Sequence, residues 1–202
     1  MKIADIFRSL QGEGKNQGKP CLFIRLAGCN LKCRWCDTPE SRIGGMEMSL
    51  DSVLEQVWRI NPPYVCITGG EPLLQVKDLE HLLSSLSRRG TLIDIETNGT
   101  IDFSSLQQYA VICMDVKCPS SGEQSNLALL EKIRPQDSVK FVVTNDADCR
   151  YAQEVMDTHR IAGEIFFSPV FGTDYTPITR FILINNLPVR FQVQLHKIIG
   201  VK

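Results

Sequence analysis

Apolar residues gather in seven short runs separated by amphipathic stretches. Leu22–Ala27, Tyr64–Thr68, Leu92–Glu96, Val111–Val116, Val139–Val143, Glu164–Phe167 and Val189–Leu195 are rich in β-branched and aromatic residues, which predicts strands. Between them, Leu50–Ile60 carries apolar residues at helical spacing behind Ser49, a side chain suited to an N-cap. Asp78–Arg89 is predicted as a second helix ending at Gly90, and Ala147–Ile161 as a third ending at Gly163. Shorter helical patterns cover Asp102–Tyr109, Gln124–Ile133 and Thr176–Leu187. Such alternation predicts βα units around a mostly parallel sheet. About six or seven units make most of a barrel, short of the eight that close one. The expected architecture is therefore a partial (β/α)6-type barrel, with residues 1–202 as a single domain.

Parallel α/β folds bind ligands at the carboxyl ends of their strands. The unusual polar motifs of this chain fall there. A cysteine-rich loop follows the first predicted strand, Gly69-Gly-Glu-Pro72 the second and Glu96-Thr-Asn-Gly99 the third. Asp115-Val-Lys117 closes the fourth. Residues remote in sequence thus converge on one rim.

Composition removes several classes of function. A formal net charge of −1 offers no basic field for nucleic acid. No apolar run approaches the roughly 20 residues that span a bilayer, and Met1–Asp5 lacks a signal-peptide pattern. A cytoplasmic protein with no membrane partner is expected. The 8 cysteines then read as free thiols or metal ligands rather than a disulfide framework. Cys66 and Cys113 sit in apolar runs as small buried hydrophobes, and Cys21, Cys118 and Cys149 have no ligand-like spacing.

Cys29, Cys33 and Cys36 are different: they stand in a Cx3Cx2C loop beside Asn30, Lys32 and Arg34, residues that belong on a surface. A 4Fe–4S cluster normally takes four thiolates. Three clustered cysteines without a fourth suggest a cluster with one open iron. The rival reading is a zinc-stabilised binding module, which prefers four protein ligands in paired sets, and no second pair or nearby histidine supplies them.

The Cx3Cx2C spacing resembles the cluster loop of the radical S-adenosylmethionine (radical SAM) enzymes, where the amine and carboxylate of SAM chelate the open iron. Gly69–Pro72 is similar to that superfamily's GGEP motif, and Glu96–Gly99 to its ETNG segment near the SAM ribose and adenine. A closer likeness runs along the whole chain. Ser9-Leu-Gln-Gly-Glu-Gly14, Gly18-Lys-Pro20, Phe23-Ile-Arg25, Gly28-Cys-Asn-Leu31 and Trp35-Cys-Asp-Thr38 carry it in the first part. Asp115-Val-Lys-Cys-Pro-Ser-Ser-Gly122 and Gln194-Leu-His-Lys-Ile-Ile-Gly200 carry it further on. Together they resemble the 7-carboxy-7-deazaguanine synthase (QueE) family.

That resemblance implies a lyase reaction in queuosine and 7-deazapurine biosynthesis. It contracts the ring of 6-carboxy-5,6,7,8-tetrahydropterin to 7-carboxy-7-deazaguanine and releases ammonia. It implies a 4Fe–4S cluster, SAM and Mg2+ as cofactors, flavodoxin or ferredoxin as reductant, and a homodimer. The radical comes from SAM, so no side chain is assigned as catalytic. Thr38 matches the Mg2+ ligand, although a lone threonine is more often a cap or turn residue. Trp35, Asp37, Gly69, Gly70, Glu71, Glu96, Asn98, Lys117, Pro119 and Ser120 are expected around SAM. Leu10, Gln11, Gly12, Glu13, Arg25 and Thr68 are expected around the pterin. Arg25 would face the interior and pair with a substrate carboxylate, or else with a protein acid such as Glu13. His196 and Lys197 would reach the rim from the last strand. Short radical SAM proteins also include glycyl-radical enzyme activases, which share the cluster loop and the GGEP-like motif. Ser9–Gly14, with Arg25 and Asp37-Thr38, favours the small-molecule substrate over that alternative.

Overall fold

The computed structural model describes residues 1 to 202. Its elements in chain order are β1 (Lys2–Leu10), β2 (Pro20–Leu26), β3 (Met46–Glu47), α1 (Leu50–Ile60), β4 (Tyr64–Gly69), α2 (Val76–Ser87) and β5 (Leu92–Thr97). They continue with β6 (Val111–Lys117), β7 (Ser138–Val143), α3 (Asp146–Thr158), β8 (Glu164–Pro169), α4 (Thr176–Ile184), β9 (Arg190–Phe191) and α5 (Leu195–Ile199). One sheet holds all nine strands in the order β3-β1-β2-β4-β5-β6-β7-β8-β9. Every neighbouring pair from β2 to β9 is parallel, while β1 is antiparallel to both β2 and β3. The predicted partial barrel is present.

Alternation along the strands divides the sheet between two environments. Val65, Ile67, Ile93, Ile95, Ile112, Met114, Val139 and Phe141 enter the main apolar core. There they meet Leu79, Leu82, Leu83 and Leu86, all fully buried on α2. Each such leucine contributes about 1.5–3 kcal/mol by leaving water. The opposite positions point into the barrel and are largely polar: Thr68, Glu96, Asp115, Lys117 and Lys140 all line its cavity. Apolar layers normally fill this space. Here one face of the sheet carries stability and the other is spent on charge.

Three expectations need correction. β1 escaped the sequence reading because a register irregularity between Ile3 and Asp5 breaks its two-residue alternation. Val189–Leu195 was expected as a full strand, yet only Arg190 and Phe191 pair with β8. Past them the backbone turns inward, and Leu195 donates its N–H to the Gly12 carbonyl at 3.1 Å instead of extending the ladder. Asp102–Tyr109 and Gln124–Ile133 contain short 3-10 helices, Ser104–Gln108 and Leu127–Lys132, rather than α-helices. The expected α1 is present at Leu50–Ile60, with the Ser49 side chain accepting from the Ser52 N–H.

The gap left by the missing units is bridged by the loop after β1. Gly14 donates its N–H to Gln192 Oε1 at 2.7 Å, and Gln192 Nε2 returns a bond to the Gly14 carbonyl at 2.9 Å. Gln17 Nε2 donates to the Val193 and Gly12 carbonyls at 2.7 and 2.8 Å. Gly14 needs its missing Cβ for this crossing, because its φ is +71°. No helix is long and apolar enough to cross a membrane.

Candidate active site

One cavity opens at the carboxyl ends of the parallel strands and gathers most of the predicted residues. Leu10, Gln11, Gly12, Glu13, Arg25, Cys29, Cys33, Trp35, Cys36, Asp37 and Thr38 line it from the early part of the chain. Thr68, Gly69, Gly70, Glu96, Asn98 and Lys117 line it from the middle.

On the thiol side, backbone geometry sets the arrangement. A Cβ on Gly70 would lie 2.2 Å from the Gly28 carbonyl oxygen and 2.7 Å from Cys29 Cβ. A Cβ on Gly69 would lie 2.1 Å from the Leu26 carbonyl oxygen. Two glycines therefore let the turn after β4 press against the cysteine loop. Burial pushes the Cys29 and Cys33 thiols up, and Cys36 adds to both shifts. Leu31 donates its N–H to Cys29 Sγ at 3.5 Å. Three half-buried free thiols facing one cavity, with an N–H already turned toward sulfur, suit a cluster bound through three cysteines. No three His, Cys, Asp or Glu side chains close into a compact set for a single ion.

Glu71, expected around SAM, does not itself line the cavity. It is fully buried behind the cavity wall and accepts from Asn98 N–H at 2.7 Å, Thr97 Oγ1 at 2.9 Å and Leu73 N–H at 3.0 Å. Its own N–H donates to the Gly28 carbonyl at 2.8 Å. One carboxylate thus joins the turns after β4 and β5, and its backbone joins both to the cysteine loop. Burial raises its pKa against the pull of those hydrogen bonds. Pro119 and Ser120 also fall outside the cavity lining. Ser120 touches the lining through Trp35, whose Nε1 donates to Ser120 Oγ at 3.1 Å. Ser120 N–H in turn donates to the buried Asp148 at 2.9 Å.

The other side is built from side-chain charge. Lys140, buried on β7, forms ion pairs with Glu13 and, at 3.2 Å, with Asp115. Asp115 also pairs with Lys117 at 3.0 Å. Burial alone would raise the Asp115 carboxyl, but Lys117 and Lys140 hold it below its ordinary value. Burial would lower the Lys140 ammonium, yet Asp115 and Glu13 hold it well above its usual range. Glu96 lies beside them with its pKa raised by burial, and Thr68 Oγ1 donates to it at 3.4 Å. Gln11 turns its amide down, donating to Tyr64 Oη at 3.1 Å and Cys66 Sγ at 3.3 Å. Cys66 is fully buried, as expected, in a small apolar cluster with Cys21, Phe23 and Tyr64 beneath that amide.

Arg25 is half-buried on β2, with its guanidinium 5.1 Å from the Phe7 ring centroid and no carboxylate in ion-pair range. Glu13, its expected alternative partner, is occupied by Lys140. His196 reaches the cavity from α5, not from the last strand, and stands 3.8 Å from Asp37. Burial would raise Asp37, but His196, Lys197 and Lys140 bring it down to about 2. No protein group takes the Thr38 hydroxyl, which faces the cavity. Asp115 and Thr97, expected at the rim within their motifs but given no role there, line the cavity, and so does Lys140, which was not expected there at all. Lys140 had a readable signal: a lone cation inside the apolar run Val139-Lys-Phe-Val-Val143, which belongs to a strand buried on both faces.

Comparison with known proteins places this architecture. Residues 23–171 match the model of the Radical SAM superfamily. The chain is 56% identical over 200 residues to the 7-carboxy-7-deazaguanine synthase of Methanospirillum hungatei JF-1, covering 99% of this chain and 86% of that protein. It is 38% identical to the protein of the same name from Thermoplasma acidophilum, covering 98% and 97%. The crystal structure of QueE from Escherichia coli superposes with a TM-score of 0.74 at 25% identity, over 96% of this chain and 94% of that one. A radical SAM barrel whose cysteine loop, glycine turn and β1 loop face one cavity, with relatives of one name along nearly its full length, belongs to the 7-carboxy-7-deazaguanine synthase family of the radical SAM superfamily.

Proposed function

We propose that residues 1–202 act as one radical SAM domain that converts 6-carboxy-5,6,7,8-tetrahydropterin to 7-carboxy-7-deazaguanine with release of ammonia. The observation that carries this reading is the placing of Arg25 and Glu13. Arg25 stands on β2 with no carboxylate partner, while Glu13 is tied to Lys140 on β7 and Ser168 on β8. Strand order sets those walls on opposite sides of the cavity. A ligand with a carboxylate at one end and N–H donors at the other spans them.

Cys29, Cys33 and Cys36 would hold the 4Fe–4S cluster, and Gly69 and Gly70 leave room for SAM against it. Bound there, cluster and SAM supply the radical that the protein's own side chains cannot generate. The chain's task is to bind, orient and exclude water. Arg25 offers a planar fork to a carboxylate, and Gln11 braces the cavity floor. Thr38 offers a neutral oxygen to Mg2+, which fills its remaining positions with water and substrate. Trp35 and Lys117 wall the SAM side, the ammonium 5.3 Å from the indole centroid. Flavodoxin or ferredoxin is the proposed reductant and the cytoplasm the proposed compartment. A homodimer would cover the open edge at β9.

The test incubates reduced, cluster-loaded protein with SAM, Mg2+ and the carboxypterin, and reads the deazaguanine acid by mass. Its appearance supports the assignment. Intact pterin alongside glycyl-radical formation on a partner protein would transfer the chain to the activases.

A further inference from the structure

Resting on that reading, we infer that Lys140 sets the ligand specificity of this site by holding Glu13 as a fixed, charged acceptor opposite Arg25. Lys140 occupies a lumen position that apolar side chains fill in ordinary parallel barrels. A buried ammonium there is costly unless matched, and two carboxylates match it: Glu13 from the loop after β1 and Asp115 from β6. Asp115 has a second cation in Lys117. Glu13 has none, and its remaining partner is the Ser168 hydroxyl at 3.4 Å. Lys140 is thus the one cation that fixes the position of Glu13, which lines the cavity.

An ionised carboxylate accepts hydrogen bonds and donates none. Held against the β7–β8 wall, it meets whichever edge of a ring points away from Arg25. A 2-amino-4-oxo pyrimidine edge presents N–H donors there. A 2,4-dioxo edge presents a carbonyl, placing oxygen against oxygen in a site where neither is rehydrated. Discrimination between those edges is the property assigned to Lys140. It is a positioning residue, because it acts through Glu13.

The experiment titrates cluster-loaded, SAM-bound protein with two fluorescent, redox-stable ligands, 6-carboxypterin and 6-carboxylumazine, which differ at that edge. The unaltered protein should prefer the pterin by a factor on the order of 10². Lys140→Gln and Glu13→Gln should each reduce the preference below about tenfold, and the double variant should lose no more than Glu13→Gln alone. The SAM-induced change in the cluster's EPR spectrum should persist in all three. A purely structural lysine would weaken both ligands together and leave their ratio intact.

Full preference in Lys140→Gln overturns the inference while leaving the proposed reaction standing. So does a double variant that loses clearly more than Glu13→Gln. Where Lys140→Gln does not fold, the charge-balanced double variant against Glu13→Gln decides the matter. Unaltered protein that binds neither carboxylated ligand overturns the proposed reaction and this inference together.

Discussion

The two sides of the cavity solve the same problem, holding polar groups out of water, by opposite means. Around the cysteine loop a single carboxylate, Glu71, is satisfied by two backbone N–H groups and one hydroxyl. Across the cavity Glu13, Asp115, Lys117 and Lys140 offset one another's charge through ion pairs. Backbone donors are fixed by the fold and do not titrate, so the first side behaves as a frame. Side-chain charges are mutually dependent: removing one leaves another unpaired in a poorly solvated space. The frame suits a cofactor common to a whole superfamily, and the ionic side suits what distinguishes one substrate from another.

The sharpest break in that contrast comes from the thiols. Cys33→Ala should abolish SAM cleavage to background, whereas Cys149→Ala, buried in the core away from the cavity, should leave it nearly intact. Activity retained in Cys33→Ala would remove the cluster from the account. Next in size, Arg25→Lys keeps the charge and loses the fork. It should cost about 2–5 kcal/mol of pterin binding while SAM cleavage without substrate stays unchanged. Calorimetric titration of both ligands checks this, and equal damage to SAM binding would erase the boundary between the sides.

Glu71→Gln probes the frame itself. Placing an amide where three donors converge should cost about 1–3 kcal/mol, lowering Tm by several degrees as read by thermal unfolding. Because this residue joins the turns after β4 and β5 to the cysteine loop, SAM and pterin affinities should fall together. The smallest effect concerns Asp37, at the seam between the cysteine loop and α5. Its pKa is about 2, below the ordinary 3.8, so its stabilising contribution is present above about pH 4 and lost as pH falls through about 2. The stability gap between the unaltered protein and Asp37→Asn should close over that interval. The gap is small, because the carboxylate is 44% exposed and solvent screens it. A gap that widens on acidification would contradict the assignment.

Legibility followed the same division. The meeting of Gly69 and Gly70 with the cysteine loop at one cavity was readable because close backbone approach and clustered thiols demand particular residues at fixed spacing. Helix α1 was readable for a similar reason: Ser49 and the helical stripe after it act locally. Glu71 was recognised as part of a motif, but its burial behind the wall was not legible, since a motif does not say which way a side chain turns. The Lys140–Glu13 pair links positions 127 residues apart, and no local pattern announces such a meeting. β1 was lost to its bulge, and the end of the chain to contacts with Gly12 and Gly14 that replace strand pairing.

The bridge between Gly14 and Gln192 also bears on the order in which the molecule is assembled. Its two residues are 178 positions apart, so the segment that carries Glu13 must wait for nearly the whole polypeptide before it can seat. Local βα units can dock earlier, and the turns pinned by Glu71 need no residue beyond Asn98. During synthesis the cysteine loop and its frame can therefore be complete while the opposite wall is still open. Closing a contact of that sequence separation is slow relative to local pairing. The wall that carries Glu13 is therefore the last part of the protein to close.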